Sequence, residues 1–349
     1  MPSVFAELDL GLPVGNAYGP MALAVDDDTA YVLCRHYRTL DAATACVAVI
    51  DLKLGTVEGI WPLCGTPVGL LAAGGERVYL VCEREDEVYL LVLDAADGRK
   101  VYDIDLRSLG YVDGMWIDSQ RGRLYLSLPD RLQVRDAQGL DIIDDLAYPF
   151  KAVERHVAFT EDMGVLLVSL SNVVYAYELP DMTPLWDVET PLETVQALVV
   201  GGSGAFLMAQ GPLAQGGVAG QVLFYSLEQG HLSDALTLAG EHEGKLVWGD
   251  ASLDRLAFAR TAYPPAQAPI LHLWSTDLEG EDGCQERRFG SGVLAWGLGP
   301  NLYVLDRQGH RMISVDGATL ETEKPIQLGV ELHGLVMGPD RERMYVNDT

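Results

Sequence analysis

Residues 77–106, RVYLVCEREDEVYLLVLDAADGRKVYDIDL, decide the fold, because they contain three short apolar runs separated by two turns. The first turn is charged, and the second follows the pattern Asp-x-x-x-Gly from Asp94 to Gly98. Short apolar runs rich in Val and Tyr and bounded by turn residues are typical of β-strands. The stretch therefore predicts three consecutive antiparallel strands joined by tight turns.

The first of these runs recurs along the whole chain. Eight copies are found: DTAYVLC from 28, ERVYLVC from 76, GRLYLSL from 122, GVLLVSL from 164, GAFLMAQ from 204, DRLAFAR from 254, PNLYVLD from 300 and ERMYVND from 342. Successive copies begin between 40 and 50 residues apart, and five carry a tyrosine in the same place: Tyr31, Tyr79, Tyr125, Tyr303 and Tyr345. A repeat of this period, with several short strands in each unit, is typical of propeller blades.

The neighbours of each copy predict four strands per unit. A run that opens with a small residue precedes it, as in GPMALAVD (19–26) and VGLLAAGG (68–75). A run followed by a Gly-containing turn comes after it, as in VLFYSLEQG (222–230), and a weaker fourth run such as PIQLGV (325–330) closes the unit. No stretch has a sustained 3.6-residue apolar periodicity, so we expect almost no helix.

Four-stranded sheets of this kind predict a closed array. One such sheet cannot bury both of its faces, whereas sheets stacked radially bury them against one another. We therefore predict an all-β fold, an eight-bladed β-propeller that occupies residues 1–349 as a single domain.

The closure of this ring is predicted from the two ends of the sequence. The eighth unit ends after its first two strands, and SVFAELDLG (3–11) is similar to a fourth strand. We expect this N-terminal strand to join the last blade and close the ring. The eighth blade then has three strands, or the sequence is part of a longer chain. A seven-bladed ring with a surplus hairpin is the alternative.

The repeat resembles two known kinds of propeller. GPDRERMYVND (338–348) and AVDDDTAYVLC (24–34) are similar to the YVTN-type repeat, and VLDAADGRKVY (92–102) is similar to the repeat of PQQ-type quinoprotein propellers. The resemblance covers nearly the whole chain. It implies a superfamily that includes dehydrogenase subunits, lactonases, lyases and binding scaffolds, among which fold alone does not select.

One departure from the quinoprotein repeat bears on cofactors. The tryptophan that usually closes that repeat is replaced by Tyr102 in the second unit, and the sequence contains neither a vicinal cysteine pair nor a CxxCH haem motif. We therefore expect no quinone or haem cofactor.

Charge and hydropathy exclude several kinds of partner. The chain has 24 Lys and Arg against 51 Asp and Glu, a formal net charge of −27. Such a surface repels nucleic-acid phosphates and anionic lipids, so we expect neither nucleic acid nor membrane as a partner. Glu7 and Asp9 lie where a signal peptide needs an apolar core, which predicts a cytoplasmic location.

The cysteines fit the same compartment. There are five, with no CxxC spacing, and an odd count without that spacing favours reduced thiols over a disulfide framework or a zinc site. Cys34 and Cys46 are the pair that is expected to face each other across a hairpin.

The first candidate site is the mouth of the predicted channel, where first strands begin. The polar residues at or near these starts are Asp113, His156, Gln196, Lys245 and His333. Polar groups that converge on a concave site are a usual starting point for an active-site hypothesis. His156, His333 and Asp113 would serve as catalytic residues, with a histidine as general base in lactone or ester opening. The same residue types also hold divalent metals, so a metal in the channel stays open.

The second candidate site is the face that carries the loops between second and third strands. Three of these loops are long: RHYRTLDAATA (35–45), GPLAQGGVAG (211–220) and TAYPPAQAP (261–269). Long loops on a rigid scaffold commonly bind ligands. The first contains Arg35, His36, Tyr37 and Arg38, and Arg and Tyr are enriched in interface hot spots.

These observations favour a binding scaffold over an enzyme. A protein or small ligand is expected to dock on the loop face, with Arg35, His36, Tyr37 and Arg38 as contacts and Gln196 and Lys245 as further ligand-binding residues. The alternative is an enzyme of lactonase or lyase type at the channel mouth.

Overall fold

The computed structural model describes the greater part of the chain. The described residues are 18–26, 28–36, 45–54, 56–63, 65–84, 87–152, 154–160, 162–200, 204–212, 218–238, 242–250, 255–262, 270–275, 284–288, 293–298, 301–306, 311–316, 321–322, 325–327, 332–337 and 344–348. Across these ranges the regular structure is β, apart from one 3-10 turn at Arg107–Leu109. None of their helices is long and apolar enough to cross a membrane.

The strands belong to two compact units of the chain. The first unit comprises residues 1–149 and 330–349. Its sheet 1 contains β1 (Tyr18–Asp26), β2 (Thr29–His36), β3 (Cys46–Asp51) and β4 (Thr56–Pro62). Its sheet 2 contains β5 (Thr66–Gly74), β6 (Arg77–Arg84), β7 (Glu87–Asp94) and β8 (Lys100–Asp105). Its sheet 3 contains β9 (Gly114–Asp118), β10 (Arg123–Ser127), β11 (Arg131–Asp136) and β12 (Ile142–Ala147).

The second unit comprises residues 150–329 and carries four further sheets. Sheet 4 contains β13 (Arg155–Phe159), β14 (Val165–Leu170), β15 (Val173–Glu178) and β16 (Thr183–Glu189). Sheet 5 contains β17 (Thr194–Val200), β18 (Gly204–Pro212), β19 (Val218–Ser226) and β20 (Leu232–Leu238). Sheet 6 contains β21 (His242–Asp250), β22 (Arg255–Ala262), β23 (Ile270–Ser275) and β24 (Cys284–Arg288). Sheet 7 contains β25 (Val293–Leu298), β26 (Asn301–Asp306), β27 (Arg311–Asp316) and β28 (Ile326–Gln327).

An eighth sheet belongs to the first unit and has two strands among the described residues. These are β29 (Leu332–Met337) and β30 (Met344–Asp348), which pair antiparallel. The other seven sheets have four strands each, in chain order. The segment 3–11, which we expected to close the array, lies outside the described residues.

Residues 77–106 fold as their pattern predicts. Its three apolar runs are β6, β7 and β8, and each pairs antiparallel with the next. The prediction of four strands per repeat is confirmed for seven sheets, and the scarcity of helix is confirmed over the described residues. The prediction succeeds because strand and turn signals are local: apolar runs of strand length are separated by Gly- and Asp-rich turns.

Burial depends on a strand's position in its sheet. In sheet 2 the middle strands are almost wholly buried, whereas β8 at the edge is mostly exposed. The edge strands β4, β12 and β16 alternate between exposed and half-buried residues in the same way. A middle strand is covered on both faces by neighbouring sheets, so it reads as a continuous apolar run, while an outer strand needs apolar residues only at alternate positions.

Alternate side chains of β6 show that sheet 2 buries both faces. Val78 and Leu80 pack into a cluster shared with sheet 1. Tyr79 and Val81, which point the opposite way, pack into a second cluster shared with sheet 3. Each fully buried side chain of this size contributes about 1.5–3 kcal/mol, so the sheets of this unit are stabilised chiefly by one another.

First strands lie beside first strands within each unit. In the first unit β5 contacts both β1 and β9, and β1 also contacts β29. In the second unit β17 contacts both β13 and β21, and β21 contacts β25. Contact through the first strand of each four-stranded meander is the arrangement of neighbouring propeller blades.

The acidic residue that ends the third strand closes the following turn. Asp51 Oδ1 accepts hydrogen bonds from the backbone N–H groups of Lys53 (2.7 Å) and Leu54 (2.8 Å). Asp94 Oδ1 accepts one from Ala96 at 3.0 Å in the same way. A carboxylate that bonds to the backbone two or three residues later stabilises a turn, which explains the recurrence of Asp at this place.

A tryptophan on an outer strand packs on a turn glycine of the next sheet. Trp61 of β4 lies against Gly98, which has φ 71°, and a Cβ there would come within 2.2 Å of the indole. In the second unit Trp186 of β16 lies against Gly230, and its Nε1 donates to Leu227 O at 2.7 Å. Both glycines therefore provide positive φ and room for a ring at once.

Candidate functional site

The predicted channel-mouth residues occupy different places in their strands. Asp113 directly precedes β9, is exposed, and donates its backbone N–H to Ser127 O at 3.1 Å. His156 is the second residue of β13. Gln196 and His333 lie at register shifts in β17 and β29, while Lys245 pairs regularly with Ala259. Each of these residues lies in the first strand of its sheet or directly before it, but they occupy different positions along those strands.

His156 is the predicted site residue with the most informative surroundings. It is half-buried, and its Nε2 lies 3.0 Å from the carbonyl oxygen of Val195 on the neighbouring β17. A carbonyl only accepts hydrogen bonds, so Nε2 is the protonated ring nitrogen. Burial holds the pKa of His156 below its ordinary value, although the Val195 carbonyl and the Glu154 charge oppose this shift. The neutral imidazole is therefore favoured, and its Nδ1 then carries a lone pair.

The second unit brings His156 and Gln196 to adjacent strands. Gln196 directly follows Val195, the residue whose carbonyl accepts from His156, and it is half-buried. The β17 register shifts between Val195 and Ala197. A bulge interrupts the regular register of a ladder, and bulges commonly re-aim side chains beside functional sites. Lys245 lies on β21, the next first strand along.

A residue that sequence reasoning missed lies beside His156. Ser169 of β14 is directly opposite His156 in the ladder and is completely buried. Its hydroxyl has no hydrogen-bond partner among the described residues. A buried hydroxyl without a partner is costly and is often explained by a bound water or ligand. The only sequence signal was a serine inside the apolar run GVLLVSL (164–170).

Asp113 and His333 belong to the first unit. The side chain of Asp113 is exposed, and His333 has a described backbone only. Within the ranges that the structure describes, no three His, Cys, Asp or Glu side chains are close enough together to hold a metal ion. The roles of Asp113 and His333 therefore stay predictions.

The loop face is described at the strands that support it. Arg35 and His36 end β2, opposite Gly19 and Tyr18 of β1. Tyr37 and Arg38 lie outside the described residues, as do the central parts of all three long loops.

The hairpin of sheet 5 is longer than those of its neighbours. Its ladder continues through Gly211↔Ala219 to Pro212↔Val218, and β18 and β19 each have 9 residues. The corresponding strands β14 and β15 of sheet 4 have 6 each. Sheet 5 therefore projects beyond sheet 4 on the side where second strands end.

Comparison with known proteins shows the fold. No protein-family model matches the chain, and no curated protein matches it in sequence. Three similar solved structures are the computationally designed Ika8 protein (TM-score 0.63, 12% identity, 96% of this chain and 95% of that chain), Hsv2 of Kluyveromyces lactis (0.59, 9%, 89% and 100%) and the dihydro-heme d1 dehydrogenase NirN in complex with DHE (0.62, 14%, 88% and 66%).

Hsv2 and NirN are β-propellers, as is BamB of Moraxella catarrhalis, which matches 82% of this chain with a TM-score of 0.55. The sequence identities of 9–14% carry the fold and not the activity. The chain is thus an all-β protein of the β-propeller class.

Proposed function

We propose that this propeller is a binding scaffold, and that a protein or small ligand docks on the face that bears the long loops between second and third strands. The observation that carries the proposal is the extended hairpin of sheet 5, whose ladder reaches Pro212↔Val218. The paired strands take up residues 211, 212 and 218–220 of the loop that the sequence predicted at 211–220. A preorganised hairpin loses less entropy on binding than an open loop does.

The partner's chemistry follows from charge. With a formal net charge of −27, the chain favours a basic or uncharged partner over nucleic acid or an anionic membrane. Buried free thiols at Cys34, Cys46 and Cys82 suit a reducing compartment, which supports a cytoplasmic location. No cofactor is part of this proposal.

Shortening the sheet 5 hairpin tests the scaffold. Residues 211–219 are replaced by Asn-Gly, which closes a two-residue turn between the paired Gln210 and Gly220. The control variant changes Ser171-Asn172, the turn of the neighbouring sheet 4, to the same dipeptide. Partners captured by the intact chain are identified by mass spectrometry and titrated against all three proteins.

The proposal expects the shortened variant to lose at least about tenfold in affinity, as removal of a binding hot spot does, while the control binds normally. Equal binding by all three proteins would contradict the proposal that the partner docks on the sheet 5 hairpin. Circular dichroism of the variants shows whether the sheets are intact.

An enzyme at the first strands is the second candidate, and His156 is the observation that favours it. Its Nε2–H is held by the Val195 carbonyl. Histidines that act as general bases or metal ligands are commonly oriented by such a hydrogen bond from the other ring nitrogen. Lactone or ester opening with His156 as general base is the reaction class to test. A panel of lactones and aryl esters is assayed with and without added Zn²⁺ or Mn²⁺, and His156→Gln should abolish any turnover. Activity that survives this substitution would exclude His156 as the base.

We further propose eight blades, closed by the N-terminal strand 3–11 pairing with the two-stranded sheet 8. Hydrogen exchange of β30 is measured in the full chain and in a variant that lacks residues 1–11. Faster exchange of Met344–Asp348 in the shortened chain, reversed by an added peptide of residues 1–17, supports closure. Unchanged exchange favours the seven-bladed alternative with a surplus hairpin.

A further inference from the structure

Two thiols lie opposite each other at the end of a ladder in the first unit. Cys34 of β2 pairs directly with Cys46 of β3, and this is the last pair of that ladder before the long loop. Both side chains are buried, with relative exposures of 1% and 6%. Together with Val32 and Ala48 they form a small apolar cluster of their own.

The ladder places the two Cα atoms at a distance that suits a disulfide. The N–H of Leu52 donates to Asp28 O, which makes Thr29↔Asp51 a pair without mutual hydrogen bonds. The pairs then alternate, so Cys34↔Cys46 is a hydrogen-bonded pair. Cα atoms of such pairs lie about 5.5 Å apart, and disulfides span Cα distances of about 4.4–6.8 Å.

The two thiols differ in their readiness to ionise. The side-chain contact with Cys46 raises the pKa of Cys34, as burial also does. The same contact lowers the pKa of Cys46. The thiolate is the reactive form of cysteine, so Cys46 is the attacking group.

We propose that Cys34 and Cys46 form a reversible redox pair, in which a low-molecular-weight disulfide such as oxidised glutathione cross-links β2 to β3 at the base of the 35–45 loop. The Cys46 thiolate attacks one sulfur of the small disulfide, giving a mixed disulfide and one thiolate leaving group. Cys34, after losing its proton, attacks Cys46 Sγ and displaces the second thiolate. Two protein thiols are oxidised, one small disulfide is reduced to two thiols, and the two thiol protons pass to the leaving groups.

The position of the pair gives the oxidant a route in. Because Cys34↔Cys46 is the terminal pair, opening this end of the ladder exposes the thiols without unfolding the sheet. The cross-link would close a loop that includes Arg35, His36, Tyr37 and Arg38, the basic-aromatic cluster of the candidate binding face. The redox state would thereby restrict that loop, whether or not it binds a partner.

Peptide mapping of the native chain tests the pair directly. The full-length protein is incubated in glutathione redox buffers, its remaining thiols are alkylated, and it is digested with trypsin. No Lys or Arg precedes Arg35, so Cys34 lies in the peptide 1–35 and Cys46 in the peptide 39–53. Oxidation should join these two peptides with the loss of two hydrogens, and dithiothreitol should separate them.

Controls distinguish a built pair from random oxidation. The native chain should give about tenfold more of this linkage than the urea-unfolded chain, because paired thiols react at a raised effective concentration. Cys82→Ser should leave the linkage unchanged, and Cys34→Ser should abolish it. Similar amounts of linkage to Cys64, Cys82 or Cys284, or no linkage in the native chain, would overturn the proposal. The wild-type result alone decides the question if a variant fails to fold.

Discussion

Gly98 shows how much a single residue can carry in this fold. It has φ 71° in the turn between β7 and β8, and its missing side chain leaves the room that Trp61 of the preceding sheet fills. Both the turn and the packing of sheet 1 against sheet 2 therefore require that residue 98 has no Cβ. Tyr79 makes a comparable link to the next sheet, since its hydroxyl donates to Ala137 O at 2.8 Å.

We predict that Gly98→Ala destabilises the chain more than a glycine substitution that creates backbone strain alone. Gly122→Ala is the matched control, because Gly122 has φ 62° and nothing within 4 Å of its would-be Cβ. Overpacking adds about 1–3 kcal/mol to the strain that both variants share. Urea unfolding followed by tryptophan fluorescence measures the difference in unfolding free energy. If both variants lost the same unfolding free energy, Trp61 would be able to move aside without destabilising the chain.

His156 makes the stability of the second unit depend on pH. Its folded-state pKa is depressed by burial, so the unfolded chain binds the proton more tightly. The unfolding free energy should therefore be highest above the ordinary histidine pKa of about 6.5 and fall as the pH drops through and below it. One group contributes a slope of at most about 1.4 kcal/mol per pH unit.

The measurement compares wild type with His156→Gln by urea unfolding between pH 7.5 and pH 5.5, above the range where most carboxylates titrate. The wild type should lose stability on acidification and the variant should lose less. His231→Gln is the control, since His231 is exposed in the turn before β20. A slope unchanged by the His156 substitution would mean that its burial has no net effect on protonation.

At the scale of elements, the aspartates that end third strands give a sharp test of turn formation. Asp51→Ala removes the acceptor of two backbone hydrogen bonds, whereas Asp51→Asn keeps a side-chain oxygen in the same place. We predict a loss of about 0.5–2 kcal/mol for the alanine variant, by analogy with helix N-caps, and a clearly smaller loss for asparagine. Chemical denaturation measures both. If the asparagine variant lost as much, the charge of Asp51 rather than its hydrogen bonds would hold the turn.

The sequence predicts the strands well but contains no clear signal for their exact register. β6, β7 and β8 coincide with the apolar runs of 77–106 to within about two residues at each end, because each run and turn is specified locally. The first strands are different, since several contain a register shift, as at Gln196 and His333. A bulge adds one residue without a distinctive residue type, so residues at corresponding places in the repeat fall at different depths in their sheets.

The candidate site was predictable only in part for the same reason. His156 was identified from its place before an apolar run, but its contact with Val195 O joins residues 39 apart on neighbouring sheets. Ser169 stands opposite His156 only because β13 and β14 pair as they do. Residue types mark candidates along the chain, whereas packing between sheets decides which of them meet.

At the scale of the whole molecule, acidity dominates. Fourth strands display carboxylates to solvent, among them Asp103 and Asp105 on β8 and Asp145 on β12. Some have local partners, as Asp105 has in Arg107 and Asp145 has in Arg131. Ion pairs cannot neutralise all of these charges, because the chain has 27 more acidic than basic residues. The folded chain is therefore under net electrostatic self-repulsion.

Salt should therefore stabilise the chain. The screening length falls from about 30 Å at 0.01 M to about 8 Å at 0.15 M ionic strength, which weakens repulsion between distant carboxylates more than attraction within close pairs. We predict that the thermal midpoint rises over this interval, by roughly 1–2 °C for each kcal/mol of repulsion removed. Calorimetry in NaCl, KCl and N-methylglucamine chloride should give one common curve at equal ionic strength, because screening does not distinguish cations. A midpoint that falls with salt would show that close ion pairs outweigh the net charge, and a rise confined to one cation would point to a specific ion site instead.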